Sequence, residues 1–255
     1  MNTSVSLKPG ERVDALYSSN IRLIQSKQVF CFSLDAVLLA HFIRPNLRHR
    51  LLTVDLCAGN GAVGMFIHKK TGGHLVEVEL QPELADMAER SVELNGLTDR
   101  YQVITGDVKE VYQWVPKDSV DQVLCNPPYF PVTAASRKNP NRHLAIARHE
   151  IAIDLETVVD RMSGLLKMNG RGYLVHRPDR LPEILACLTS HRLAPKRIQF
   201  IYPKAGSESN MVLIEATKDG RPGGCRIVSP VIVHHQNGEY TPQIKEMLYG
   251  KKKTE

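Results

Sequence analysis

Asn126-Pro127-Pro128-Tyr129 sets an amide, two prolines and an aromatic ring directly after the run Asp121-Gln122-Val123-Leu124-Cys125. That run reads as a buried strand, and prolines, which lack a ladder donor, end the pairing, so the tetrapeptide is expected as a loop at a strand tip. The Asn126 side-chain oxygen and the Pro127 backbone carbonyl can together accept both hydrogens of an exocyclic NH2 group, and Tyr129 offers a face to a planar ring. This combination suits methyl transfer to a ring-bound amine. The plainer alternative is a proline-rich turn without chemistry.

Leu51 to Leu56 forms a second apolar run, followed by Cys57-Ala58-Gly59-Asn60-Gly61-Ala62-Val63-Gly64. Strand, glycine loop and helix in that order form the nucleotide-cofactor turn of a doubly wound sheet. The loop also fits the dinucleotide fingerprint, with Glu79 at the end of the next strand as a ribose acid, so an NAD enzyme is one reading. Two further acids favour S-adenosylmethionine. Asp55 precedes the glycines, where a carboxylate attracts a cationic methionine amine and repels a pyrophosphate, and Asp107 follows the strand Tyr101 to Thr105. The expected assignments are Asp55 to the amino end, Gly59 and Gly61 to close backbone approach, Glu79 to the ribose and Asp107 to the adenine. Asp107 could instead cap a helix.

The elements that must carry these groups alternate. Helices are expected from Ser33 to Phe42, Gly61 to Lys70, Gln81 to Asn95, Asp154 to Met168 and Pro178 to Ser190, with Arg171 to His176 as a fifth strand and Ile198 to Tyr202 pairing Met211 to Thr217. The class is α/β, with helices on both faces of a Rossmann-like sheet. With 255 residues, 42% of them hydrophobic, the chain can bury a large core, and no linker or repeat divides it. A single domain over 1–255 is expected, with a catalytic core over 51–220 and an extension over 221–255. The N-terminal residues lack a leader-like apolar stretch and no run reaches bilayer length, so a cytoplasmic location is expected. The five cysteines are scattered without a CxxC pair and read as packing residues, with no metal expected.

The net charge of +6 is unevenly placed. Arg44, Arg48 and Arg50 precede the first core strand, and Lys251 to Lys253 close the chain. Arg137, Lys138, Arg142 and Arg148 follow the Tyr129 loop, where they can hold phosphates flanking an extruded base. A nucleic-acid substrate is therefore favoured over a free metabolite. Arg148-His149-Glu150 and His176-Arg177-Pro178 fit structural or substrate-orienting roles better than catalysis.

The order Asp55, Gly59, Gly61, Glu79, Asp107 and Asn126 to Tyr129 resembles the class I S-adenosylmethionine-dependent methyltransferases with an NPPY loop. Further segments are similar to the bacterial tRNA(Val) adenine-N6 methyltransferase family: Arg22 to Ser26 with Val29 to Ala40, Leu144 to Glu150, Tyr173 to Pro178, and Pro203-Lys204 through Asn210 to Glu215. Cys57 departs from the general pattern, which has glycine there. The resemblance implies a seven-stranded mixed sheet, an adenine-N6 activity on tRNA next to the anticodon, and a segment over 1–50 that covers the cofactor through Ser33 and Asp35. Guanine-N2 rRNA and protein-glutamine N5 methyltransferases share the loop, and an inactive RNA-binding module is the non-enzyme alternative.

Overall fold

The computed structural model describes residues 5–26, 32–129 and 153–250. The chain opens with an antiparallel hairpin, β1 (Glu11–Leu16) and β2 (Ile21–Ser26), followed by helix α1 (Leu34–Phe42). The central part alternates as expected for parallel strands: β3 (Leu52–Leu56), α2 (Ala62–Phe66), β4 (His74–Glu79), α3 (Pro82–Leu94), β5 (Tyr101–Thr105), a 3-10 turn over Val108–Gln113, and β6 (Val120–Cys125). The described chain resumes with α4 (Leu155–Leu165), β7 (Leu166–His176), α5 (Leu181–Ser190), β8 (Leu193–Lys204), β9 (Met211–Lys218), β10 (Arg226–Ile227), β11 (Val231–His234) and α6 (Pro242–Tyr249).

The main sheet runs β8-β9-β7-β6-β3-β4-β5, with β10 and β11 both added to the outer edge of β8. The strand β9 is antiparallel to both its neighbours, whereas β7, β6, β3, β4 and β5 are parallel. The sheet is therefore nine-stranded, not seven-stranded. The two additional strands come from the C-terminal extension, and β10, two exposed residues long, has no periodicity for sequence reading to detect. α2 also ends earlier than expected, at Phe66: Lys70 turns its amine to the Ala40 carbonyl, 2.9 Å away, drawing the chain towards the end of α1.

Core residues on the two sheet faces explain the layering. Val158, Val159, Met162 and Leu165 of α4 pack with Ile184 and Leu188 of α5 on one side, while Val37 and Leu39 of α1, Met65 and Phe66 of α2 and Ile244 of α6 pack on the other. Each such side chain contributes about 1.5–3 kcal/mol through burial. The N-terminal hairpin is tied to this body by polar contacts. The Ile24 amide donates to Ser91 Oγ at 2.9 Å, and Asn95 both accepts from the Arg22 amide and donates to the Arg22 carbonyl.

Because β6, β3, β4 and β5 are adjacent and parallel, the residues at their C-terminal ends line up along one rim. The chain order changes direction between β3 and β6, so a crevice opens there, where doubly wound sheets bind ligands.

Candidate active site

A cavity of about 820 Å3, counted out to its open mouth, lies on that rim. Gly59, Glu79, Asp107 and Asn126, one from each of four strand tips, line it, together with Phe32 and Ala36 from the N-terminal segment and Pro128 from the proline loop. Gly59 sits at φ +60, and a Cβ built there would meet nothing within 4 Å, so its backbone faces open space. Glu79, only 6% exposed, accepts from the Gly59 amide at 2.8 Å and the Gln81 amide at 2.9 Å. Burial raises its pKa, and those amides partly oppose the shift. Asp107 caps the 3-10 turn through the Lys109 amide at 2.9 Å and lines the cavity as well, so the capping and ligand-facing expectations both fit the same side chain.

Other expected residues fall behind the wall. Asp55 is 1% exposed and is not among the lining residues: its Oδ2 accepts from the Gly64 amide at 3.1 Å, and its Oδ1 has no hydrogen-bond partner. It stands beside Glu77 on β4, equally buried, with neither carboxyl oxygen partnered. Burial, against the Gly64 bond and reinforced by Glu79, pushes Asp55 up to about 8. Gly61 also lies outside the lining. It is at φ +78, and a Cβ there would sit 2.5 Å from Glu77 Oε2, so the glycine accommodates Glu77 beneath the loop. Cys57, standing where the general pattern has glycine, adopts φ 57 and lines the cavity.

A raised carboxyl in the fold has a pH signature. The unfolded Asp55 ionises near pH 4, so between about pH 4 and 8 the native state holds a proton that the unfolded chain has lost, and stability falls as pH rises through that window. Asp55→Asn is expected to shrink the loss of stability between pH 5 and pH 8, read from urea midpoints. An unchanged difference would show that Asp55 is ionised throughout.

At the proline loop, the Tyr129 hydroxyl donates to Asp35 Oδ2 at 3.1 Å and also contacts Asn126 Oδ1. Burial raises the pKa of Asp35 despite this bond. Ser33 occupies the N-cap of α1 but makes no side-chain cap bond, and neither Ser33 nor Asp35 lines the cavity; their neighbours Phe32 and Ala36 do. Pro127 is buried. The ring of His176, at the tip of β7, meets Tyr129 edge-on at 5.4 Å, and burial, helped by Arg180, lowers its pKa to about 4. Arg137, Lys138, Arg142, Arg148, His149 and Glu150 lie outside the described residues, as do Lys251 to Lys253. Arg44 is engaged elsewhere, paired with buried Glu215 at 3.1 Å.

Sequence reasoning passed over Leu80 and Val108, which also line the cavity. Each directly follows a strand-tip acid, and Leu80 is left 37% exposed, an apolar surface suited to a flat ring. The signal was available: an apolar residue immediately after the acid at two successive tips. Asn60 was also missed. It lines the cavity while its amide donates to the Ile24 carbonyl at 3.2 Å, joining the glycine loop to the hairpin.

The wall decides between the two cofactor readings. Among the described lining residues there are two carboxylates and no lysine, arginine or histidine, which suits a cationic sulfonium ligand and opposes a pyrophosphate. The fold and this cavity belong to an S-adenosylmethionine-dependent methyltransferase of the class I type. Within that class, the chain belongs to the methyltransferase small domain family, whose model matches residues 20–154. A Porphyromonas gingivalis protein named tRNA1(Val) (adenine(37)-N6)-methyltransferase is 25% identical over 198 residues, covering 74% of this chain and 75% of its own. A Shewanella protein of the same name is 25% identical over 195 residues, covering 76% and 80%. The crystal structure of a predicted O-methyltransferase from Agrobacterium tumefaciens superposes with a TM-score of 0.66 at 25% identity, covering 85% of this chain and 96% of that one.

Proposed function

We propose that the protein methylates the exocyclic N6 amine of an adenine in tRNA, next to the anticodon of tRNA(Val). The observation that carries this reading is Asn126, which stands at the β6 tip in the wall of a cavity flanked by Gly59, Glu79 and Asp107. The names of the Porphyromonas and Shewanella relatives support the choice of adenine and tRNA.

S-adenosylmethionine, when bound, supplies a methyl group already activated on a sulfonium sulfur. Glu79 is suited to the ribose hydroxyls, Asp107 to the adenine amine, and Leu80 and Val108 to the adenine faces. Asp55 acts from behind, through the Gly64 amide, by holding the loop that Gly59 and Gly61 shape. Glu79→Ala is expected to weaken cofactor binding by roughly 1.5–3 kcal/mol in calorimetry, the contribution of charge-assisted hydrogen bonds. Unchanged affinity would remove Glu79 from the cofactor contacts.

The target amine's lone pair is delocalised into its ring, so the nitrogen must pyramidalise before it attacks. Acceptors at Asn126 Oδ1 and the Pro127 carbonyl favour that geometry, and the Tyr129 ring stacks the base. A single phenolic proton serves two neighbours here. When the amine donates to Asn126, the Tyr129 hydroxyl can give its proton wholly to Asp35, so Asn126 is released without stranding a buried donor. The nitrogen's proton becomes acidic only once it carries positive charge, and water can remove it.

Arg137, Lys138, Arg142 and Arg148 are assigned to the phosphates around the target. Reversing two of these charges is expected to weaken tRNA binding and flatten its salt dependence without altering cofactor affinity. An unchanged salt slope would place the RNA elsewhere. The function itself is tested by incubating the protein with methyl-labelled cofactor and, separately, unmodified tRNA, rRNA and a release factor. Label is expected in tRNA, recovered as N6-methyladenosine. Label confined to guanine or to protein glutamine would replace the reading.

A further inference from the structure

Away from the cavity, three side chains of metal-ligand type converge from two helices. Glu156 stands in the first turn of α4, and Cys187 and His191 lie one turn apart at the end of α5. Glu156 Oε2 is 3.2 Å from Cys187 Sγ, Glu156 Oε1 is 3.2 Å from His191 Nε2, and Cys187 Sγ is 4.0 Å from His191 Nδ1. One ligand atom from each residue lies within 4.8 Å of the others, a spacing that a single ion can bridge after small rotamer adjustments.

A second observation concerns the imidazole. His191 Nδ1 is 2.9 Å from the Cys187 carbonyl oxygen, which can only accept, so Nδ1 carries a proton and Nε2 faces Glu156. Metal-binding histidines are commonly backed in this way, with one ring nitrogen donating to a carbonyl while the other ligates. A bare Nε2 lone pair opposite a carboxylate is repulsive. A cation between them, either a proton or a metal ion, removes the conflict.

We propose that Glu156, Cys187 and His191 bind a divalent metal ion, with Zn2+ the one best matched to thiolate, imidazole and carboxylate together. The Cys187 thiol donates to Glu156 Oε2 and so carries a proton before the ion arrives. Binding forms the sulfur–metal bond and expels that proton to solvent, and water completes the fourth position. The ion clamps the start of α4 to the end of α5. α4 begins two residues beyond Ile153, itself part of the cavity wall, so the clamp anchors the chain where it leaves the cofactor site.

The test uses the full chain, stripped with chelator and titrated with Zn2+ and with Co2+. One Zn2+ per chain is expected, with release of at least one proton, a rise in melting temperature, and an affinity at least about tenfold lower in both Cys187→Ser and His191→Gln. Co2+ bound to the unsubstituted protein is expected to show a thiolate-to-metal charge-transfer band, a readout that does not depend on the variants folding. Equal Zn2+ affinity in all three proteins, or a Co2+ spectrum without the thiolate band, would overturn the site and assign binding to other histidines of the chain.

Discussion

Asn126→Ala slows single-turnover methyl transfer to unmodified tRNA by ~100-fold or more, about 2.7 kcal/mol of barrier, while cofactor affinity stays near that of the parent protein. The separation follows from what the side chain touches. Asn126 Oδ1 meets the Tyr129 hydroxyl, and its acceptor capacity matters most when the amine nitrogen pyramidalises, so its loss falls on the chemical step. Tyr129→Ala, which also removes the stacking face, lowers tRNA capture as well. Tyr129→Phe retains the face and much of the activity, and additionally reports what the hydroxyl contributes by steering Asn126 and Asp35. Near-parental transfer by Asn126→Ala, with cofactor bound normally, would reduce the loop to a turn.

Gly61→Ala destabilises the protein by roughly 2–4 kcal/mol. Part comes from forcing a side chain into φ +78, and part from crowding Glu77, whose Oε2 would lie 2.5 Å from the new Cβ. The two parts can be separated. Glu77→Ala removes the obstructing carboxyl, so the double variant is expected to lose at least about 0.5 kcal/mol less than the sum of the single changes, measured by urea denaturation. Strict additivity would show that the backbone conformation alone requires glycine. Gly64→Ala provides a check at normal φ, because its Cβ would meet Glu77 Oε1 at 2.5 Å.

How much was legible in the sequence divides along physical lines. Glu79 and Asp107 could be placed because each follows an apolar run and precedes a helical turn, a local pattern. Asn126 could be placed because prolines fix where its strand must stop. Asp55 looked identical in sequence to a ligand-facing acid, yet it belongs to the inside of the loop. The difference depends on Glu77 occupying the neighbouring position on β4, a relation that only strand register reveals. Of the two glycines, Gly59 lines the cavity, whereas Gly61 lies outside the lining and makes room for that same glutamate. Cys187 packs in the core as expected, and its contact with Glu156, 31 positions away on another helix, has no local pattern to announce it. The short strands β10 and β11 owe their pairing to the edge of β8, not to any pattern of their own.

That edge has a colloidal consequence. β8 spans 12 residues, long enough to recruit a strand from another molecule if its outer row of amides and carbonyls were bare. Capping it with two brief segments from the same chain occupies Arg197-Ile198 and Ile201 to Lys204 by internal pairing. The opposite rim ends in β5, only five residues long, which offers little ladder to an incoming strand. Trimming the chain before Arg226 would therefore bare that ladder to neighbouring molecules and also strip Val231, Val233 and Ile244 from the core, so clumping at high concentration is expected together with lost stability.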